Sequence, residues 1–144
     1  MRMTWLGFGL AIFFAGGCDF AVDDIAEVPE NPTYSRDILP LFEDHCILCH
    51  GDPPSRGAPN NFRLDVYEIV DSHAHSSEVG ERKQFHAGHD HPEGDGPWGA
   101  KDMALHSLQV VEEGLMPPAA KWGDGLGPNA KKMLRRWVEQ GSPP

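Results

Sequence analysis

The sequence predicts an all-α fold of short helices, on three observations. Near the C-terminus, Ala130, Met133, Leu134, Trp137 and Val138 recur at helical spacing and form one apolar stripe. The residues leading into Cys46, and the stretch "MALHSLQVVEE" that opens at Met103, are helical in pattern, whereas apolar strand-like runs are scarce. Glycine (16) and proline (13) are both abundant, so the helices are short and something besides secondary structure must hold them together.

With 144 residues, the chain is long enough for one domain and a segment or two at its ends. The hydrophobic fraction of 40% permits a packed core. A formal charge of −10 makes nucleic acid and anionic lipid poor partners and a basic protein surface a better one.

Residues 1–17 read "MRMTWLGFGLAIFFAGG". Arg2 precedes an apolar run of 11 residues, Trp5 to Ala15, and small residues follow. This is the order of an export signal. The run is shorter than the roughly 20 residues a membrane-spanning helix needs. Ala15-Gly16-Gly17-Cys18 resembles the lipobox of bacterial lipoproteins, and that resemblance implies an acylated Cys18 at the mature N-terminus. The acidic residues 19–33, with two prolines and no helical period, read as a tether spanning about 20 Å as a random coil. The domain proper is expected over residues 34–144.

The stretch "EDHCILCHGD" places Cys46 and Cys49 three apart, with His50 directly after. On a helical turn, two thiols at this separation match the two vinyl groups of a haem, and the adjacent imidazole is placed to ligate the iron. C-x-x-C-H is the signature of c-type haem attachment. A zinc clip needs two more ligands at paired spacing, and no second C-x-x-C exists. A thioredoxin-like dithiol needs a strand–helix setting that the sequence does not offer.

His ligation leaves a sixth iron position. Met103, Met116 and Met133 are the methionines after Cys18. Met133 belongs to the apolar stripe and Met103 opens a helix. Met116 lies between Gly114 and Pro117-Pro118, where the prolines stiffen an extended chain that can hold a thioether over a flat ring. His106, in the preceding helix, is a competing ligand.

The runs "YSRDILPLFEDHCILCHG", "FRLDVY", "EGLMPP" and "LRRWVEQGSPP" resemble the class I cytochrome c domains of exported bacterial proteins, over most of residues 34–144 except the middle. The resemblance implies a small helical bundle around one covalent haem c, with His50 proximal and Met116 distal. It also implies that the first and last helices cross, with Ile38 and Phe42 meeting Leu134 and Trp137. Pro40 is expected near the start of the first helix. Expected haem contacts are Leu64, Leu105, Leu108, Val111 and Leu115. Arg56, Arg63, Trp98 and Trp122 are candidate propionate partners, and a carbonyl of Pro53, Pro54 or Pro59 is expected to accept the His50 ring N–H.

Residues 71–97 read as a His-rich loop insertion carrying His73, His75, His86, His89 and His91. His89 and His91 flank Asp90 and form a candidate site for a second metal, zinc, copper or nickel; the plainer reading is a solvated loop.

The expected function is single-electron transfer by Fe(II)/Fe(III) cycling, without enzymatic turnover. The chain would be lipid-anchored at the periplasmic face of a bacterial membrane, and its acidic surface would meet a basic redox partner. Two alternatives differ in class: a gas or peroxide sensor or enzyme with a displaceable Met ligand, and a metal-handling lipoprotein that uses the His-rich loop. Replacing Cys18 by serine is expected to move the protein from the membrane fraction to the soluble fraction with its visible spectrum intact. Continued membrane attachment of Cys18→Ser would refute lipidation.

Overall fold

The computed structural model describes residues 24–69, 96–118 and 125–144. Residues 1–17, read above as an export signal, Cys18, and the histidines His73, His75, His86, His89 and His91 lie outside the described residues, as does Trp122.

The described chain is all-α, as expected. Helical structure begins with a π-helical turn, Tyr34–Ile38, which runs directly into α1, Leu39–His45. After a kink at Cys46 comes the single turn α2, Ile47–His50. Then follow α3, Ala104–Glu112, and α4, Pro128–Glu139. Among the described residues there is no strand, only one isolated parallel bridge between Phe62 and Trp98. None of the described helices is long and apolar enough to cross a membrane.

Pro40 is the second residue of α1, but the helical run starts earlier, at Tyr34. The wide turn that precedes it gives the physical reason. Ile38 and Leu39 donate to the carbonyls of Thr33 and Tyr34, five residues back. A proline removes a backbone donor and crowds the preceding turn, and a π-turn relaxes that crowding. Asp37 reaches back to accept the Thr33 N–H at 2.8 Å, which satisfies one open donor at the start of the run.

The core lies where this first helical run crosses α4. Tyr34, Ile38 and Phe42 repeat every four residues and bury one face against Ala130, Met133, Leu134 and Trp137. The expected crossing of Ile38 and Phe42 with Leu134 and Trp137 is therefore present. Trp137 has no exposed surface. Its ring meets Phe42 edge-on at 6.4 Å and Tyr34 at 6.3 Å, and its indole N–H donates to the Pro143 carbonyl at 2.8 Å. The α4 C-terminus closes with a Schellman pair, Gly141 N–H to Val138 and Ser142 N–H to Trp137. The tail turned back by that closure also accepts the Tyr34 N–H at Pro143 and the Tyr67 hydroxyl at Ser142.

Residues 24–33 differ from the expected free tether. They run along α4 as a strap. The Asp24 carboxylate accepts the N–H groups of Asn129 and Ala130, capping α4 from outside its own segment. Partial desolvation opposes ionisation of Asp24, but the backbone donors of Asn129, Ala130 and Ile25 hold its carboxyl below the usual range. Asn129 donates to the Ile25 carbonyl, Arg136 to Val28 and Pro29, and Gln140 to Glu30. Gly127 permits the approach, because a Cβ there would overlap the Asp24 side chain.

Trp137→Ala removes the side chain at the centre of the crossing and is expected to cost about 3–5 kcal/mol. Met133→Leu, a volume-conserving swap in the same core, is expected to cost less than about 1.5 kcal/mol. Urea unfolding of the two variants beside the parent checks this. Equal costs would mean that the crossing is not organised on Trp137.

Candidate functional site

The site begins at the kink between α1 and α2. Cys46 ends α1 by donating its N–H to the Phe42 carbonyl at 2.7 Å. Its own carbonyl then accepts the N–H groups of Cys49 at 3.0 Å and His50 at 2.9 Å. One helical turn thus carries both thiols and the imidazole, the local geometry that the C-x-x-C-H spacing predicts. Gly51 ends the turn. A Cβ there would lie 2.7 Å from the Ile47 carbonyl oxygen, so only glycine leaves the turn undisturbed.

Cys46 and Cys49 are free thiols, not a disulfide. Burial, with Cys49 nearby, pushes the Cys46 thiol up to about 12. Reactive redox dithiols have electropositive surroundings that lower the thiol pKa, and Cys46 has the opposite environment. Among the described residues, no group of three or more His, Cys, Asp or Glu could hold a metal ion. The raised Cys46 pKa weighs against the redox reading of this segment.

His50 is gripped from residues 62–64. The Leu64 N–H donates to the His50 carbonyl at 2.8 Å, and the Phe62 ring lies 4.6 Å from the imidazole, centroid to centroid. Phe62 also meets His106 edge-on at 6.5 Å. Burial, and then the neighbouring His106, push His50 down to about 4. His50 is therefore neutral at physiological pH, as an imidazole ligand must be. Its Nδ1 is buried and has no hydrogen-bond partner among the described residues. The carbonyls of Pro53, Pro54 and Pro59, expected to accept a proton there, do not do so.

Met116 is partly buried and packs against the core. Its N–H donates to the Val110 carbonyl at 3.1 Å, which pins the loop after α3. Its side chain lines a cavity of about 230 Å³ together with Val111, Pro117 and Leu126, and the His50 ring is not part of that lining. His106 lies close enough to His50 to act on its charge. Met103 and Met133 are core residues, as their helical positions implied.

Of the expected apolar contacts, Leu64, Leu108 and Val111 are buried in the common core. Leu105 and Leu115 are not, at 44% and 39% exposed. Leu105 sits on the outward face of α3, and Leu115 follows the helix end. Arg63 bridges to Asp52 and Asp65, and Trp98 is buried in the core, so neither stands open as a propionate partner. Sequence periodicity missed Phe62 and the burial of His106. Phe62 lies outside any helix, and one polar residue on a short helix gives no signal of its face.

The residues present fit the anchoring half of a c-type haem site: two free thiols one turn apart, and a neutral, half-buried imidazole with an orphaned, buried ring nitrogen. Comparison with family models, curated proteins and solved structures finds no match to this chain.

The depressed His50 pKa sets a stability window. The unfolded chain takes up the His50 proton near pH 6.5 and the folded chain only near pH 4. The stabilisation is complete above pH 6.5 and is lost as pH falls towards 4, by about 3 kcal/mol in all. In the chain carrying no haem, the urea midpoint should fall across this window, and His50→Gln should flatten the dependence. An unchanged slope in His50→Gln would assign the effect to other groups.

Proposed function

We propose that this chain is a monohaem c-type cytochrome that carries single electrons, exported and lipid-anchored through Cys18. The observation that carries the reading is the single helical turn that presents Cys46, Cys49 and His50 together, with His50 half-buried and neutral. The all-α architecture, with its first and last helices crossed, agrees with the class I cytochrome c resemblance. A haem bound there would supply one-electron exchange at its iron.

Each residue then has a defined task. Cys46 and Cys49 fix the group through two thioethers. His50 supplies an imidazole that needs no deprotonation at physiological pH. Met116 supplies a thioether from a loop pinned at Val110 and stiffened by Pro117 and Pro118. On this reading Cys46, Cys49, His50 and Met116 are all given to holding the group, and the chain is read as a carrier rather than an enzyme. The acid excess of the chain suits a basic redox partner. A second reading, ligation by His106, is favoured by its burial beside Phe62 and its approach towards His50.

Expression with haem-maturation machinery, followed by visible spectroscopy, tests the proposal. The parent should retain haem after denaturation and show a far-red sulfur-to-iron band in the ferric state, unchanged by cyanide or carbon monoxide. Met116→Ala should lose that band, admit both ligands and show a lower reduction potential, because a Met ligand raises it. Covalent haem should persist. If Met116→Ala kept the parent spectrum while His106→Ala altered it, His106 would be the ligand. A parent that binds carbon monoxide readily would favour the sensor reading.

A further inference from the structure

We propose that Phe62 is the positioning residue that orients the His50 imidazole, in place of a hydrogen bond to its Nδ1. The inference rests on the cytochrome reading and concerns how the proximal ligand is held. A ligating histidine normally donates its second ring N–H to a carbonyl or carboxylate, which fixes the ring plane and raises its basicity. In this protein the Nδ1 of His50 is buried with no such partner among the described residues. Among the described residues, the orientation of the ring then falls to other contacts.

Phe62 provides them. Its ring centroid lies 4.6 Å from that of His50, with the planes tilted by 48°. Phe62 is itself held on both sides. The Trp98 N–H donates to the Asn61 carbonyl at 2.9 Å, and the Arg63 N–H donates to the Trp98 carbonyl at 3.0 Å. Two residues on, Leu64 donates to the His50 carbonyl and accepts the buried Tyr34 hydroxyl at 2.8 Å. One short segment therefore fixes both the backbone and the ring of His50, and the buried His106 meets Phe62 edge-on. An apolar wall orients the imidazole without adding electron density to it. A less electron-rich imidazole favours ferrous over ferric iron, so the arrangement favours a higher reduction potential.

The test compares haem-loaded parent, Phe62→Leu and Phe42→Leu. Both variants remove a buried core ring, but only Phe62 contacts His50. Phe62→Leu should keep its covalent haem, broaden and shift its low-spin ferric EPR signal, and show a lower reduction potential as water reaches Nδ1. Phe42→Leu should lose stability yet keep the parent EPR signal and potential. If Phe62→Leu does not fold, Phe62→Met, which lacks the ring but retains more volume, carries the same comparison. EPR and potential identical to the parent in the Phe62 variant would overturn the inference alone. So would equal shifts in Phe42→Leu, which would make the effect one of general loosening. A parent without attached haem would overturn the functional proposal and this inference with it.

Discussion

The fold depends on the burial of Trp137 at the crossing of the first helical run and α4. A domain of this size, rich in glycine and proline, has few other places to bury large apolar area. The indole touches the rings of Tyr34 and Phe42, and its N–H is satisfied by Pro143. Because Tyr34 also donates its hydroxyl to Leu64, the crossing fixes the segment that grips His50. The candidate site is thus tied to the core through two hydrogen bonds in series: Tyr34 to Leu64, and Leu64 to His50. Short helices such as α2, a single turn, have no stability of their own and need this kind of tertiary support.

The strap of residues 24–33 completes the same core from outside. Ile25 and Val28 pack against it, and Pro32 is fully buried. A helix that starts at Pro128 after Gly127 has no side-chain cap of its own, and Asp24 supplies one from more than a hundred residues away. This changes the geometry that the lipid-anchor reading implies. Only the residues between Cys18 and Asp24 would separate anchor from domain, a span of about 20 Å even when fully extended. The expected random-coil tether of 19–33 would have been no shorter on average, but far freer in direction.

Where the sequence signal was strong, it came from periodicity and chemistry acting together. The stripe Ala130, Met133, Leu134, Trp137 identifies the buried face of α4, and the helical pattern before Cys46 identifies its partner face. The C-x-x-C-H spacing likewise predicts a turn that displays all three side chains, since residue spacing on a helix is fixed. What stayed hidden depends on distant residues. An acidic, proline-containing stretch reads as a linker because nothing local shows that its carbonyls meet Arg136 and Gln140. Leu105 looks like core on composition, yet the inner face of α3 is set by Ala104, Leu108 and Val111. His106, a lone polar residue on a short helix, gives no sign of its face, yet it shares that inner face.

The charge distribution carries the functional argument one step further. Many of the basic side chains are engaged within the chain. Arg36 pairs with Asp37, Arg63 with Asp52 and Asp65, Lys101 with Glu68, and Arg135 with Glu112, while Arg136 is spent on the strap carbonyls. Such exposed pairs contribute little to stability. Each pair neutralises itself locally and leaves the net charge unchanged, so the long-range field is set by the surplus carboxylates. With a formal charge of −10, the surplus is large for 144 residues. A field of one sign raises the encounter rate with an oppositely charged surface and falls with added salt, whereas it does little for tight, long-lived association. A molecule that must meet a partner, exchange one electron and leave benefits from fast encounter more than from slow release. On the proposed reading, the sign of the net charge suits a transient carrier better than a subunit of a permanent assembly.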